Sequence, residues 1–449
     1  MVQSGYSWRA CTIYLSAYPE SSVHKKVLRW ERDFYPEKDT IFAAQRRKIG
    51  FMQLIEVKTP KHRREFLEFP ARLYKSDPHW IRPMDQDIEK VFDPKRNTFF
   101  GHGECTRWLL QNEQSQTIGR VAAFINHEAT IKAWTLPDGT TQYDPPTGGM
   151  GFFECINDRQ AAFLLFDTCK NWLQARGMEA MDGPINFGER DQWWGLLTDG
   201  FLPPNYGMFY HFPYYKDFFE SYGFGEYFKQ YTYYRTVMAP LHPVVFARAE
   251  RIRSNPDYTF GHIKKNNLAK YTEDFRIIYN KAWDKIKTNT PDMTREQSQN
   301  LMKQLKPVID EKLIWFAYYK GDPVAFFVML PELNQVFRYL NGKLDFIGKL
   351  KFLWHQWRGT CRKMFGVVFG VVPEHQGKAV EAAIVMAARD LIQDHYHRYD
   401  DLEMNWIGDF NPPMMKLIEL MGGKIIKTHI TYRKLFDDNK PFERHPILK

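Results

Sequence analysis

One segment in the C-terminal half constrains the fold more than any other. Residues Val367 to Leu391 read VVFGVVPEHQGKAVEAAIVMAARDL. A run of β-branched and aromatic residues reaches Pro373, and a basic, glycine-containing turn then leads into a long apolar-periodic stretch. The first run predicts a buried strand and the last predicts an amphipathic helix. We therefore expect a strand–turn–helix unit of the kind found in α/β proteins.

The turn of this unit has the features of an anion-binding site. The first N–H groups of a helix have no partner within the helix, and the helix dipole adds partial positive charge at the same place. Gly377 lets the backbone approach a phosphate closely, and Lys378 adds a positive charge. The turn predicts phosphate binding. The alternative is a plain strand-to-helix turn in which Gly377 only marks the bend.

The order of predicted elements occurs twice along the chain, which indicates an internal structural repeat. Each half mixes hairpins with strand–helix–strand units, so we expect a mixed α/β fold. Residues 134–150 are expected to be a loop because of their Pro, Gly and Asp content, and Gly119 is expected to mark a hairpin turn. Asp158 is expected to cap one helix, and a second helix is expected over Glu374–Tyr396.

Charge and cysteine usage narrow the functional classes. The 62 Lys/Arg and 53 Asp/Glu residues give a net charge of +9, which suits an anionic lipid surface, a phosphorylated ligand or nucleic acid. No zinc-knuckle spacing or RNP-like motif is present, which disfavours nucleic acid. The five cysteines are widely spaced and form no CxxC, which argues against a metal or disulfide framework and for a reducing, cytoplasmic location. No apolar run approaches the roughly 18 residues of a membrane span.

With these residues in view, the segment V-x-P-E-x-Q-G-K before a helix resembles the acyl-CoA pyrophosphate loop of the GCN5-related N-acetyltransferase (GNAT) superfamily. The later segment DLEMNWIGDFNPPMMKLIELMGGKIIKTHITYRK resembles the last two strands of that fold and the helix between them. The resemblance in this half extends from Tyr271 to Leu435. The N-terminal half resembles the partner domain of a tandem-domain, bacterial ceramide-synthase-like subgroup. Five segments carry this resemblance: DPHWIRPMDQD, NTFFGH, IGRVAAFIN, GFFEC and DGPINFG. This resemblance implies two GNAT-like domains, each a mixed twisted sheet flanked by helices.

The resemblance implies a division into three parts. Residues 1–51 are expected to be a poorly ordered extension, 52–240 a GNAT-like domain without the CoA loop, and 241–449 the domain with it. The family loop usually reads Q/R-x-x-G-x-G/A, whereas Ala379 and Glu381 stand at the last two positions here. Ala379 hinders close approach, and Glu381 puts a carboxylate where the pyrophosphate should lie. Both departures predict weaker CoA binding.

The resemblance also implies an acyl-CoA co-substrate, with no metal, that donates its acyl group to an amine. The residues expected to hold the donor are Val371, Val372, Gln376, Gly377, Lys378, Ala379 and Asn411. A backbone N–H of Val371 or Val372 would stabilise the oxyanion. Proton transfer would fall to Glu403 or Glu154, with Tyr432 as a substitute for the tyrosine that the family often places in the helix after Asn411. His375 and His102 are further candidates, although we expect His375 to be exposed.

Acceptor binding is expected at a strand end and in an aromatic tract. Asn186 and Glu189 follow a strand, where binding residues of α/β sheets are common, although an Asx turn is the simpler interpretation. Residues 201–235 hold 16 aromatic residues. Tyr214 and Tyr215 follow Pro213 at a turn and are candidate acceptor contacts. The rest of the tract is expected to be mainly core, and a groove for a long acyl chain or lipid base is the alternative.

Residues 343–363 carry six Lys/Arg, one Asp and four Phe/Trp. This composition suits the headgroup zone of an anionic membrane, so peripheral contact with its inner face is one interpretation. An ordinary amphipathic helix packed on the sheet is the other.

Two other functions stay open at this stage. One is an aminoacyl transferase that uses aminoacyl-tRNA to build peptidoglycan bridges. The other is a catalytically silent GNAT-fold binding module, which Glu381 and the missing tyrosine would favour. The oligomeric state is not indicated by the sequence.

Overall fold

A single large sheet runs through both halves of the chain. The computed structural model describes residues 52–131, 133–135, 140–283 and 292–447, so the expected extension over 1–51 lies outside the described residues. Thirteen strands form the large sheet, and two more form a separate hairpin. In chain order the described strands are β1 Gln53–Glu56, β2 Gly103–Gln111, β3 Thr117–Asn126, β4 Ala133–Thr135, β5 Thr141–Tyr143, β6 Thr147–Cys155, β7 Ala180–Gly183, β8 Leu196–Asp199, β9 Gly225–Thr236, β10 Tyr258–His262, β11 Ile314–Tyr319, β12 Asp322–Pro331, β13 Lys363–Val371, β14 Asp401–Gly408 and β15 Lys424–Leu435.

Helices flank this sheet, and the order of elements repeats in the two halves. The described helices are α1 Pro60–Leu73, α2 Asp85–Val91, α3 Arg159–Gln174, α4 Tyr215–Tyr222, α5 Pro243–Arg253, α6 Leu268–Trp283, α7 Arg295–Leu305, α8 Asn334–Phe337, α9 Phe346–Trp357, α10 Val380–Asp394 and α11 Pro412–Leu420. None of the helices described is long and apolar enough to cross a bilayer. The predicted mixed α/β fold is confirmed.

The two halves exchange their last strands. The sheet order is β1-β2-β3-β6-β7-β15-β9-β14-β13-β12-β11-β10, with β8 paired to β15. β15, the last strand of the chain, therefore lies beside β7 of the N-terminal half, and β9 lies beside β14 of the C-terminal half. We propose to keep 52–240 and 241–449 as the two units. Since each supplies a strand to the other, we expect neither to fold alone.

Three local expectations were wrong. Part of the expected loop over 134–150 forms β4, β5 and the first residues of β6. Gly119 lies within β3 and pairs with Leu110, because the turn comes earlier, at Ser115. The helix expected from Glu374 begins only at Val380, since Gly377 and Ala379 have φ of +72° and +69°, which a right-handed helix cannot contain.

The aromatic tract is mostly core, as expected. Nine of its members are buried, among them Tyr215, Phe219, Tyr227 and Tyr233, each 1% exposed or less. The predicted cap of α3 is also present, because Asp158 Oδ1 accepts the N–H groups of Gln160 and Ala161 at 2.8 and 3.1 Å.

Candidate functional site

A gap opens between two neighbouring parallel strands of the C-terminal half. β13 and β14 pair in register only over Lys363–Gly366 and Asp401–Met404, and then they diverge. The space between them and α11 has an empty volume of about 700 Å³, which includes the part open to solvent. Its walls are mainly apolar and include Phe327, Val368, Trp406, Phe410, Met414 and Ile418. Such a slot can hold an extended, largely apolar arm.

A second cavity continues the first along the same face of the sheet. It has an empty volume of about 420 Å³ and lies under α10. Phe327 and Met421 line both cavities, so they form the partition between them. The second cavity lies next to Met364 and Leu402, near the start of β13 and β14, and its walls are also mainly apolar.

The predicted anion-binding turn lies directly after β13. Gly377 and Lys378 are exposed, and a Cβ added at Gly377 would meet nothing within 4 Å. Ala379 occupies the position before α10 and provides no side-chain cap to its N–H groups. Gln376 turns back to donate from Nε2 to the Val371 carbonyl at 3.0 Å. The turn is therefore exposed at the start of a helix, where the first backbone N–H groups have no partner within the helix.

Glu381 occupies part of this helix start. Burial raises the pKa of Glu381, while hydrogen bonds from the backbone N–H groups of Glu381 itself and Gly377 oppose the rise. The carboxylate thus accepts from donors that would otherwise face an incoming phosphate. Gly377 and Lys378 stay exposed beside it, whereas Val380, Ala382 and Ala383 of the first helical turn are buried.

The two backbone candidates for oxyanion binding differ in availability. The Val372 N–H already donates to the Val324 carbonyl at 2.9 Å, within the β12–β13 ladder. Because successive backbone groups point to opposite sides of a strand, the Val371 N–H points away from β12, toward the gap. Val371 is therefore the better placed of the two donors.

His375 is buried, and our expectation of an exposed side chain was wrong. Its Nδ1 lies 2.7 Å from the Tyr258 hydroxyl, and its ring contacts that of Tyr319. Burial lowers the pKa of His375 and keeps the imidazole neutral. The residue fixes the turn against β10 and β11.

Glu403 lies on β14 beside the cavity wall, in a buried cluster of charges. It is 2% exposed, and both of its carboxylate oxygens contact lysines: Oε1 contacts Lys363, and Oε2 accepts from Lys427 Nζ at 2.8 Å. Lys427 also donates to Asn205 Oδ1 at 2.8 Å. Burial opposes ionisation of Glu403, but the two lysines hold its pKa below the usual range.

Glu154, the second predicted catalytic acid, lies in a buried network of the N-terminal half. Its Oε2 accepts from Tyr74 and Tyr215 at 2.6 and 3.0 Å, and Arg120 lies 3.7 Å from Oε1. Burial raises the pKa of Glu154 to about 7, against the lowering effect of Arg120 and the two hydroxyls. Tyr214 joins the same region by donating to the Cys155 carbonyl at 2.9 Å.

The other predicted residues fall in separate places. Asn411 caps α11 and lines the cavity between the strands. Asn186 is buried with its Oδ1 unpartnered, and Glu189 follows it in the N-terminal half. Tyr432 is fully buried on β15 among N-terminal core residues and donates to Glu220 at 3.1 Å. His102 contacts Asn126 at 2.8 Å. None of these except Asn411 lines the cavity.

Sequence reasoning missed the lysines that surround Glu403. Lys427 is 2% exposed, although its position on β15 was predicted correctly as a strand. The available signal was the alternation of Lys427, His429, Thr431 and Arg433, a polar series with period two on one strand. β15 lies in the middle of the sheet, between β7 and β9, which buries this polar series.

The open strand pair, the exposed turn before α10 and the repeated element order lie where the sequence resemblance to tandem GNAT-type N-acyltransferases places them. Within the ranges the structure describes, no His, Cys, Asp and Glu side chains group as metal ligands. No protein-family model matches the chain.

Two curated relatives match almost end to end. The chain is 29% identical over 392 residues to the bacterial ceramide synthase of Caulobacter vibrioides (strain NA1000 / CB15N), covering 85% of this chain and 97% of that protein. It is 27% identical over 374 residues to Protein YghO of Escherichia coli (strain K12), covering 82% and 92%. Among solved structures, a tandem GNAT protein from the clavulanic acid biosynthesis pathway aligns with a TM-score of 0.48 and 10% identity, covering 87% of this chain and all of that one.

Proposed function

We propose that this protein transfers an acyl group from acyl-CoA, or a related thioester, to an amine. The observation that supports this most directly is the open apolar gap between β13 and β14 beside an uncapped helix start. A pantetheine arm is long and mainly apolar, and a pyrophosphate is anionic, so the two features match the two parts of CoA. We assign the donor to the C-terminal unit.

In this proposal each donor-binding residue has a stated task. Gly377 and Lys378 receive the pyrophosphate, Gln376 and Ala379 shape the turn, and Asn411 fixes α11 over the arm. The Val371 N–H polarises the thioester carbonyl, while Val372 anchors the strand to β12. The amine attacks the carbonyl carbon, a C–N bond forms, and the C–S bond breaks. The ammonium proton is passed on, and the departing thiolate takes up a proton.

Glu403 is our proposed proton acceptor. It adjoins Met404 and Asn405, which line the cavity, and its lysine partners keep it in the ionised form that accepts a proton. The same lysines make it a weak base, so it would act as a relay rather than hold the proton. A catalytic role for Glu154 or Tyr432 stays a prediction, as does acceptor binding by Asn186, Glu189, Tyr214 and Tyr215.

We further propose a long-chain lipid amine, such as a sphingoid base, as the acceptor, and a cytoplasmic role in lipid metabolism. Similarity to a protein named bacterial ceramide synthase supports this choice. The two adjoining cavities support it physically, because a chain of many CH₂ groups needs a continuous apolar surface.

One observation favours a second candidate, the catalytically silent binding module. Glu381 already accepts backbone N–H groups at the helix start, so a phosphate must compete with it. Such a module would bind CoA, or another anion, without turnover.

The test is turnover by the full chain. The purified protein is incubated with acetyl-, octanoyl- or palmitoyl-CoA and a sphingoid base, and the amide and the free thiol are quantified together. The Gly377→Asp variant should lose both products, because it puts a carboxylate where the pyrophosphate binds.

Gly321→Asp is the matched control. Gly321 also has a positive φ and no neighbour within 4 Å of an added Cβ, but it lies in the β11–β12 turn. Equal loss in both variants would contradict the assignment of the turn. Absence of amide with every donor, while CoA still binds, would favour the silent module.

A further inference from the structure

Helix α9 exposes an unusual amount of apolar surface. Six large apolar side chains of its twelve residues face solvent: Phe346, Ile347, Leu350, Leu353, Trp354 and Trp357, with exposures from 47% to 83%. Gly348 is the only buried residue of the helix. Exposed apolar residues are ordinary when scattered, whereas a contiguous set marks an interaction surface.

The apolar side chains point away from the protein body. The buried and half-buried residues of the helix are Gly348, Phe352, His355 and Gln356, of which the first three are spaced i, i+4, i+7. At about 100° per residue, the exposed apolar set centres roughly opposite this inward stripe. Phe352 packs against Phe337, with ring centroids 5.9 Å apart, and the helix start is capped by Asp345. The helix is therefore held in place while its apolar face stays open.

Positive charge borders this face on both sides. Lys349 and Lys351 are exposed and flank the apolar stripe, one on each side of the helix. Lys343 precedes the helix and Arg358 follows it, both exposed. The two other basic residues of this segment are already paired, Arg362 with Asp400 and Lys363 with Glu403. Asp345, the one acidic residue of the segment, is engaged as the cap.

We propose that α9 docks the protein on an anionic phospholipid surface, with its axis in the plane of the membrane. The apolar side chains would enter the zone between headgroups and acyl chains, and the bordering lysines would contact lipid phosphates. A second copy of the chain fits this face less well. Two such faces in contact would bring like charges together with no free carboxylate on the helix to pair with them.

Vesicle flotation of the full chain tests this proposal. Vesicles of phosphatidylcholine alone are compared with vesicles containing about one third phosphatidylglycerol, at low and high salt. The wild-type protein should float with the anionic vesicles, and less at high salt. Leu350→Gln with Trp357→Gln should weaken binding at least about tenfold by removing inserted apolar area. Lys349→Gln with Lys351→Gln should weaken vesicle binding roughly 25-fold at low salt, since each positive charge near the surface strengthens binding about fivefold.

Matched substitutions and a size measurement complete the test. Ile131→Gln with Met238→Gln removes two apolar residues that are 55% and 69% exposed elsewhere, and it should leave binding unchanged. All variants should melt at the wild-type temperature, because the altered side chains are exposed. Absence of flotation at low salt, or equal flotation of every variant, would overturn the proposal. So would a wild-type dimer that the α9 variants abolish while vesicle binding is absent. CoA binding should be the same in all variants, which separates this result from the fate of the proposed function.

Discussion

The two halves of the protein place a helix after a strand in the same way, but the two helix starts differ. In the N-terminal half, Asp158 caps α3 and accepts two of its first N–H groups. In the C-terminal half, Ala379 provides no cap, and Lys378 is exposed beside the start of α10. The Asp158 carboxylate caps one start directly, whereas the other start holds the Glu381 carboxylate beside an exposed glycine and lysine.

The space between the two parallel strands also differs between the halves, being open in the C-terminal half and filled in the N-terminal half. In the N-terminal half, β6 and β7 also pair over only three residues, but the chain after β7 folds back against β6. Ile185 donates to the Met150 carbonyl, and its own carbonyl would lie 1.9 Å from a Cβ added at Gly151. Phe152, Phe187 and Trp193 fill the rest. The comparison teaches that one backbone pattern serves as packed core in one half and as a candidate ligand slot in the other.

The largest expected effect concerns Glu403, the buried acid of the C-terminal half. Glu403→Ala leaves Lys427 buried without its carboxylate, so the free energy of unfolding should fall by about 3–5 kcal/mol. Glu68→Ala, which removes an exposed pair with Arg64, should cost less than about 1 kcal/mol. Urea unfolding measures both. If Glu403→Ala loses as little stability as Glu68→Ala, the buried Glu403–Lys427 pair does not stabilise the fold.

The pH dependence of stability should separate the two acids further. Because the folded pKa of Glu154 is about 7 and the ordinary value is 4.5, the folded protein holds a proton that the unfolded chain loses between these pH values. Its contribution therefore lowers the free energy of unfolding as pH rises through this window, by roughly 3 kcal/mol at most. In Glu154→Gln this slope should disappear. The measurement is the free energy of unfolding of the wild type and of Glu154→Gln, each followed from pH 5 upward. The same slope in both proteins would contradict the raised pKa of Glu154.

Filling the open gap should make the C-terminal half resemble the N-terminal one. Val367 lines the cavity and is half-buried, so Val367→Trp should weaken acyl-CoA binding by about 100-fold, with overpacking costing about 1–3 kcal/mol of stability. Val244→Trp, at a position 39% exposed on α5, is the control and should bind normally. Full binding by Val367→Trp would show that the donor lies elsewhere.

The smallest effect should come from the carboxylate in the turn. Glu381→Gln should strengthen CoA binding by roughly tenfold, since it removes a charge that competes with the phosphates. Glu374→Gln removes a charge from an exposed residue of the same turn and should change affinity less. Calorimetric titration of the two variants with CoA measures both affinities. Equal gains in affinity would mean that the net charge of the protein matters, and not the position of Glu381 in the turn.

Local patterns in the sequence predicted most of this architecture, and packing between distant segments decided the rest. The strand before Pro373, the cap at Asp158 and the repeat were visible because they depend on neighbouring residues. The exchange of β9 and β15 was not, since it depends on pairing between residues about 200 positions apart. For the same reason His375 was expected to be exposed, and the partners of Glu403 on β15 went unnoticed.

The most direct test of the difference between the halves is the stoichiometry of CoA binding. Calorimetric titration of the full chain with acyl-CoA should give one site per chain, which Gly377→Asp removes and Gly321→Asp retains. Two sites per chain, or one site that survives Gly377→Asp, would contradict the assignment of the donor to the C-terminal half.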